Sequence, residues 1–174
     1  MIERECPAKC RCKTLDRRIT EFYRHRGVCT HGDISLHRFD DLLEITVMHR
    51  PGPTYTAHRN GTWYVWLDSS QPLHERRVRM AHEIGHALLH AGSQLFADEG
   101  TRLKEEEQAR RFALYALVPT CFLLPLLRQF NRIDQSALEE ISSEFGVPEW
   151  FMYARLERLK ADQIVASNLF SDRK

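Results

Sequence analysis

The clearest periodic pattern in the chain lies between residues 73 and 91. Apolar residues recur there at intervals of three or four, which places their side chains on one face of an α-helix. These apolar positions are Val78, Ala81, Ile84, Leu88 and Ala91. Gly92 follows the last of them and suits a helix end. We therefore predict one long helix over residues 73–91 with a buried apolar face.

An alternating pattern precedes this helix and predicts strands. Residues 43–49 alternate apolar and polar side chains and are rich in β-branched residues, as half-buried strands are. After a proline-containing break, two further runs at residues 54–58 and 62–67 flank Asn60 and Gly61. An Asn-Gly pair between two such runs is a strong signal for a β-hairpin. The pattern thus predicts a small antiparallel or mixed sheet just before the helix.

Further helices are predicted on both sides of these elements, because apolar residues recur there at helical spacing. The predicted segments are residues 14–27, 33–42, 101–117 and 120–130. Asp33 is a candidate cap at the start of the second segment. Helices around a short run of strands predict an α+β fold.

The C-terminal segment, residues 134–159, resembles a helix-turn-helix with a turn beginning at Gly146. The second helix of a DNA reader presents Arg, Asn or Gln early, aimed at base edges. Here that helix opens with Glu149 and Trp150, an acidic and aromatic start that is poor against phosphate. We interpret the segment as a packing or partner-docking unit, and DNA reading is the alternative. Residues 161–174 are expected to form a loose tail.

Composition and charge narrow the functional classes. The 174 residues suffice for one domain with a small helical appendage. A net charge of +1 argues against bulk nucleic acid as a partner. No apolar run approaches the roughly twenty residues of a membrane span, and the first residues lack the apolar core of a signal peptide. We expect a cytoplasmic protein with no membrane partner and no direct nucleic-acid partner.

The chain has five cysteines, an odd number, and most of them lie near its start. Those N-terminal cysteines are Cys6, Cys10, Cys12 and Cys29. Their spacing matches no common zinc finger, which uses paired C-x2-C units or their His equivalents. We interpret them as reduced thiols. A second, structural zinc site that includes His31 is the alternative.

The helix predicted over residues 73–91 carries an H-E-x-x-H motif formed by His82, Glu83 and His86. The four-residue spacing stacks the two histidines on one face, where two imidazoles can bind one ion. Glu83 lies beside them, where its carboxylate can hold a water molecule at the ion. This is the signature of zinc peptidases, two ligands plus a general base. A chance match, or a histidine pair that caps a helix, is the alternative.

A catalytic zinc needs a third protein ligand, with the fourth position left for water. His90 lies four residues past His86, but an ion held by the histidine pair would lie about a turn away, roughly 6 Å along the axis. We therefore give His90 a supporting or structural role. Glu106 is the stronger candidate, because it lies three residues before Ala109 on the predicted buried face of the next helix. The acidic residues beside it are expected on a solvated helix start.

Two runs of residues carry a family resemblance. They are His82-Glu-Ile-Gly-His86 with His90, and Glu106-x-x-Ala109-x-x-Phe112-Ala113 with Leu117 and Pro119. With these runs the chain resembles the ImmA/IrrE family of metallopeptidases, and its short form is most similar to the ImmA-type anti-repressor proteases of mobile elements. The resemblance spans about residues 14–160, and it makes Glu106 the third zinc ligand. Arg110 departs from the family pattern without touching a proposed ligand.

The resemblance implies one catalytic zinc ion on the two histidines and Glu106, with Glu83 as the general base for peptide hydrolysis. Candidate donors to the oxyanion are His90, Tyr115 and His74. The implied substrate is a partner helix-turn-helix repressor, cut at one site to induce a prophage or integrative element. One alternative is a non-catalytic, zinc-stabilised regulator that binds the repressor. The other is a DNA-binding transcription factor that uses the C-terminal helices.

The sheet has an expected role in substrate binding. Zincin peptidases bind an extended substrate by strand addition on an edge strand above the metal helix. The strand around Trp63–Leu67 leads into that helix and is our candidate; alternatively, its tryptophans cover one end of the core. We place a zincin-like domain, a small sheet packed on the H-E-x-x-H helix, over residues 1–130. A small C-terminal helical region packed on it is expected over residues 131–174.

Overall fold

The computed structural model describes residues 14–35, 44–90 and 98–171, with side chains of the last helix described up to residue 162. Within these residues there are six α-helices and three strands, which makes the fold α+β. The interpretations of Cys6, Cys10 and Cys12, and of a helix across residues 36–42, lie outside the described residues.

The chain forms two compact units. The sheet unit is Ser35–Leu117, and the helical unit combines Met1–Ile34 with Val118–Lys174. This division differs from the boundary expected at residue 130. The reason is that residues just after Val118 share a buried polar cluster with both the N-terminal and the C-terminal helices of the helical unit.

The sheet unit contains three strands, β1 (Ile45–Arg50), β2 (Tyr55–Arg59) and β3 (Thr62–Asp68). Their order is β1-β3-β2, with β1 parallel and β2 antiparallel to β3, so the sheet is mixed. The prediction of an edge strand around Trp63–Leu67 was wrong. Both sides of β3 are paired, and within the described part of the chain the edges of the sheet are β1 and β2.

The predicted hairpin is confirmed between β2 and β3. Asn60 and Gly61 both have positive φ, 53° and 88°, as a two-residue type I′ turn requires. This turn fixes the register, so that Thr56 pairs with Val65. Val65 is 1% exposed, and directly paired residues share a face of the sheet. Thr56 therefore lies on the inner face.

Two helices complete the sheet unit, α2 (Leu73–Leu89) and α3 (Glu99–Leu117). Both confirm the predicted helices to within two residues at each end. Helix α2 contacts β3 and α3, and its buried apolar positions include Val78, Ala81, Ile84 and Ala87. His90 ends α2, with its backbone N–H donating to the His86 carbonyl at 2.9 Å.

The helical unit consists of α1 (Thr14–His25), a 3-10 turn (His31–Asp33), α4 (Thr120–Leu127), α5 (Gln135–Phe145) and α6 (Glu149–Ser171). Asp33 closes the 3-10 turn, because its carboxylate accepts a hydrogen bond from the Thr30 backbone at 2.9 Å. Ile34 after it is extended, so no helix starts at Asp33. The expectation of a loose tail from residue 161 was also wrong. Residues 161–171 contain neither Gly nor Pro to end α6.

The ends of α5 agree with local sequence signals. Asp134 caps the helix by accepting a hydrogen bond from the Ala137 backbone N–H at 3.2 Å. Gly146 ends it in the left-handed conformation, with φ of 60°. The first two turns of α6 then present Trp150 and Tyr153, which are 53% and 60% exposed.

No single helix within the described residues is long and apolar enough to cross a membrane. Helices α3 and α4 reach the necessary length and apolar content only when their residues are counted together.

A buried polar cluster joins three helices of the helical unit. Arg155 of α6 is 0% exposed, and its Nε donates to the Val118 carbonyl at 2.8 Å. Its Nη2 donates to Thr120 Oγ1, and that hydroxyl donates to the carboxylate of Asp16 on α1. Burial raises the pKa of Asp16, and the nearby Arg155 charge and the Thr120 hydrogen bonds oppose this rise. The buried carboxylate therefore depends on the guanidinium for compensation.

We expect Arg155→Met to lower the free energy of unfolding by about 3–5 kcal/mol, because it leaves a buried carboxylate without its opposite charge. Urea unfolding followed by circular dichroism measures this loss. Arg132→Met is the control, since Arg132 pairs with Asp134 at the surface, where its side chain is 83% exposed. That change should cost less than about 1 kcal/mol. Equal losses in the two variants would contradict the role given to burial.

Candidate metal centre

Two histidines of α2 converge on one point. His82 and His86 are four residues apart, their Nε2 atoms are separated by 3.0 Å, and their rings meet edge to face at 77°. A neutral imidazole can offer one ring nitrogen as an acceptor or metal ligand. The pair therefore presents two nitrogen ligands to the same small volume.

Glu106 of α3 completes the group. Its Oε2 lies 3.3 Å from His82 Nε2, and its Oε1 lies 3.3 Å from His86 Nε2. The three residues can offer ligand atoms that all lie within 4.8 Å of one another. Ligands that surround a tetrahedral zinc at about 2.0–2.1 Å are about 3.3 Å apart, so these residues fit one such ion. The structure thus brings together all three residues predicted as ligands.

The centre is open on the side of α3. Glu106 was expected on a buried face, but its side chain is 62% exposed, whereas those of His82 and His86 are 23% and 10% exposed. The two nitrogen ligands are thus held within the protein, and the carboxylate lies toward solvent. A catalytic metal needs such an open side for water or substrate, while a structural zinc site is closed by protein ligands.

Gly85 allows α2 and α3 to approach closely enough for this arrangement. A Cβ atom at Gly85 would lie 3.0 Å from the Ala109 carbonyl oxygen and 3.1 Å from the Phe112 Cβ. Those distances are shorter than ordinary van der Waals contacts. Ala109 is three residues past Glu106 on the same face of α3. The missing side chain at position 85 therefore sets the distance between Glu106 and the histidine pair.

Electrostatics at the histidine pair favour metal binding. Burial lowers the pKa of His86, and the neighbouring His82 lowers it further, whereas the carboxylates of Glu106 and Glu83 oppose the shift. The neutral imidazole is thereby favoured. Only the neutral form can bind a metal ion.

Glu83 is held by a residue that the sequence pattern did not single out. Thr56 Oγ1 on β2 donates a hydrogen bond to Glu83 Oε2. The sequence contained one signal for the position of Thr56, because the Asn-Gly turn sets the register that pairs Thr56 with Val65 on the inner face of the sheet. Using it required knowing that α2 covers that face of the sheet, which only the folded structure shows.

His90 connects α2 to α3 beside the candidate metal ligands. Its Nε2 lies 2.8 Å from Gln108 Oε1 on α3, and its ring centroid lies 5.3 Å from that of His86. With Nε2 engaged by Gln108, His90 connects α2 to α3, and its supporting or structural role stays a prediction.

Tyr115 and His74 are on the same two helices as the candidate ligands, several turns away from them along the chain. Tyr115 is nine residues past Glu106, which is half a helical rotation away and about 14 Å along α3, and it is 2% exposed. His74 is exposed and lies eight residues before His82, about 12 Å along α2. Their role as oxyanion donors stays a prediction.

A known protein family matches the part of the chain that contains all the residues of this centre. The family model of the IrrE N-terminal-like domain, Peptidase_M78, matches residues 36–157. The chain is similar to the phage-like element PBSX protein XkdA of Bacillus subtilis strain 168, with 26% identity over 84% of this chain and 75% of that protein. It is also similar to the protein YqaB of the same strain, with 24% identity over 79% of each chain.

We expect Gly85→Ala to weaken Zn2+ binding by about tenfold or more, because the added methyl group must push α3, and Glu106 with it, away from the histidines. Competition with a chelating dye measures the affinity. In an ordinary helix the same change would stabilise the protein by roughly 0.5–1 kcal/mol. Gly32→Ala is the control, since its added Cβ would lie 3.7 Å from Thr30 Oγ1. Unchanged affinity in Gly85→Ala would show that helix spacing does not control the centre.

We expect Glu106→Gln to lower Zn2+ affinity by more than about a hundredfold, since a neutral amide replaces an anionic ligand. Isothermal titration calorimetry with Zn2+ alone measures the change. Glu107→Gln is the matched control on the next position, where the Glu107 carboxylate pairs with Arg111 at 2.7 Å. If both variants bind Zn2+ as the original protein does, Glu106 is not a ligand.

Proposed function

The chain belongs to the ImmA/IrrE family of metallopeptidases, whose IrrE N-terminal-like domain it contains, and we propose that it is a zinc-dependent, site-specific endopeptidase. The observation that carries this proposal is the convergence of His82, His86 and Glu106 next to a fourth polar side chain, Glu83. A closed structural zinc site of four Cys or His ligands would have no use for that carboxylate.

The proposed chemistry gives each residue one task. The two histidines and Glu106 would hold the ion. Zinc, when bound, lowers the pKa of a water molecule toward about 7 and polarises a carbonyl group. Glu83 accepts a proton from the attacking water and passes it to the leaving amine. The water oxygen bonds to the carbonyl carbon, the peptide C–N bond breaks, and the proton leaves with the amine.

Strand β2 is the proposed binding strand for the substrate, because its outer edge is unpaired among the described residues. Strand β3 is excluded because it is paired on both sides. In a two-residue type I′ hairpin, alternate pairs exchange no ladder hydrogen bonds, and counting from the turn these are the positions of Thr56 and His58. Their backbone N–H and C=O groups point away from β3, toward the open edge. An extended peptide can add there as a further strand.

The proposed substrate is a helix-turn-helix repressor encoded beside the protein on a prophage or integrative element. The ImmA/IrrE resemblance supports this choice, and so does the name of the similar protein XkdA, which belongs to a phage-like element. The exposed start of α6 supports a protein partner over DNA. It presents Glu149, Trp150 and Tyr153, whereas a phosphate backbone calls for basic side chains.

We expect Glu83→Gln to slow cleavage of the repressor encoded beside the protein by about a hundredfold or more, because general-base catalysis contributes roughly that much. The purified, Zn2+-loaded protein is mixed with the repressor, and products are identified by mass spectrometry. Zn2+ affinity should stay unchanged, since Glu83 is not among the ligands. The matched control is Glu75→Gln on the first turn of α2, which should cut normally.

Three outcomes would overturn the proposal, in two different ways. Equal cutting by Glu83→Gln, or an intact repressor with Zn2+ present, would remove the peptidase. Normal induction in cells that carry Glu83→Gln would instead favour a regulator that binds the repressor without cutting it.

A further inference from the structure

Thr56 connects the open edge of the sheet to the base of the proposed reaction. Its Oγ1 donates a hydrogen bond to Oε2 of Glu83, and the two residues lie 27 positions apart in the chain. The contact therefore depends on how β2 and α2 are placed, and not on local sequence. Both side chains are partly buried, which shields the hydrogen bond from competition with water.

The donor in this hydrogen bond is rigid. Threonine is β-branched, so its χ1 torsion is restricted, and Thr56 is paired with the buried Val65 in the hairpin. A glutamate side chain has several rotatable bonds and loses considerable freedom when it is fixed. A hydrogen bond from a fixed hydroxyl therefore decides where the Glu83 carboxylate points.

The main chain of Thr56 has a second role in the same geometry. The hairpin register turns its backbone N–H and C=O toward the open edge of β2, where the extended substrate is proposed to add. One residue would thus contact the substrate through its backbone and the base through its side chain.

We propose that Thr56 is a positioning residue that orients Glu83 from the strand on which the substrate is proposed to dock. This inference rests on the proposed peptidase function. The Thr56 hydroxyl engages Oε2 of Glu83 and leaves Oε1 to accept the proton of the attacking water. The Thr56 side chain exchanges no proton with the substrate, so the hydroxyl acts on the reaction only through Glu83.

The kinetic test compares Thr56→Val with Thr56→Ser on the repressor that the protein cuts. Valine keeps the shape and the β-branch but removes the hydroxyl, so kcat should fall roughly tenfold or more, as expected for loss of a hydrogen bond to a charged group. KM should stay unchanged, because the backbone that docks the substrate is intact. Serine restores the hydroxyl and should restore kcat. Thr46→Val, the same change on the other edge strand, is the control and should leave both constants unchanged.

A second test uses the metal-free protein and needs no substrate. Thr56→Val should lower the urea midpoint in the original background, and this loss should disappear in a Glu83→Ala background, where the hydroxyl has no carboxylate to hold. The Thr46→Val control should give the same small change in both backgrounds. A loss from Thr56→Val that is equal in both backgrounds would mean that the hydroxyl does not hold Glu83, and the inference would fall.

The two tests separate this inference from the proposed function. If the original protein cuts the repressor and Thr56→Val cuts it equally fast, the inference is wrong and the peptidase stands. A lower kcat that serine does not restore would assign Thr56 a purely structural role and would also overturn the inference. If the original protein cuts nothing, the proposed function fails. If, in addition, Thr56→Val costs the metal-free protein the same stability with and without Glu83, the positioning contact is removed as well.

Discussion

The close approach of two helices at Gly85 is the constraint on which the metal centre depends. One helix can present two histidines to an ion through a four-residue spacing, but a third ligand on that helix would lie a turn too far away. The third ligand must therefore come from a neighbour, and helix axes usually lie about 8–10 Å apart. Metal–ligand distances tolerate only about 0.2 Å. The backbone of α3 at Ala109 rests against Gly85, and this contact fixes where Glu106 ends.

The order of the strands adds a second constraint, on the positions of the proposed base Glu83 and of the proposed substrate. Because β3 is central, β2 is an edge strand of the described sheet. Its Thr56 contacts Glu83 of α2, and its outer edge is unpaired among the described residues. The proposed base would be held from the same strand to which the proposed peptide substrate would add. The open side of the centre at Glu106 and the open edge of β2 are both features of the sheet unit, which contains every residue assigned to the proposed chemistry.

Much of this could be predicted from the sequence wherever the signal is local. The helical period around Val78 and Ile84, the Asn60-Gly61 turn and the caps at Asp134 and Gly146 each act within a few residues. The strand order could not be predicted, because alternation shows which face of a strand is buried but not which strands are neighbours. In the structure β1 pairs in parallel with β3, and not with β2, the strand that follows it in the chain. The exposure of Glu106 depends on how two helices meet, which the helical period alone does not contain. The bond from Thr56 to Glu83 depends on both kinds of non-local information.

The discontinuous helical unit has a consequence for biosynthesis. The sheet unit is one continuous stretch of chain, so it can collapse as soon as the ribosome has released it. The carboxylate of Asp16 is synthesised early, but its guanidinium partner at Arg155 comes more than a hundred residues later. Contacts of such long range close slowly, because the loop entropy must be overcome first. The nascent protein should thus acquire a folded sheet unit before Asp16 of the helical unit meets Arg155.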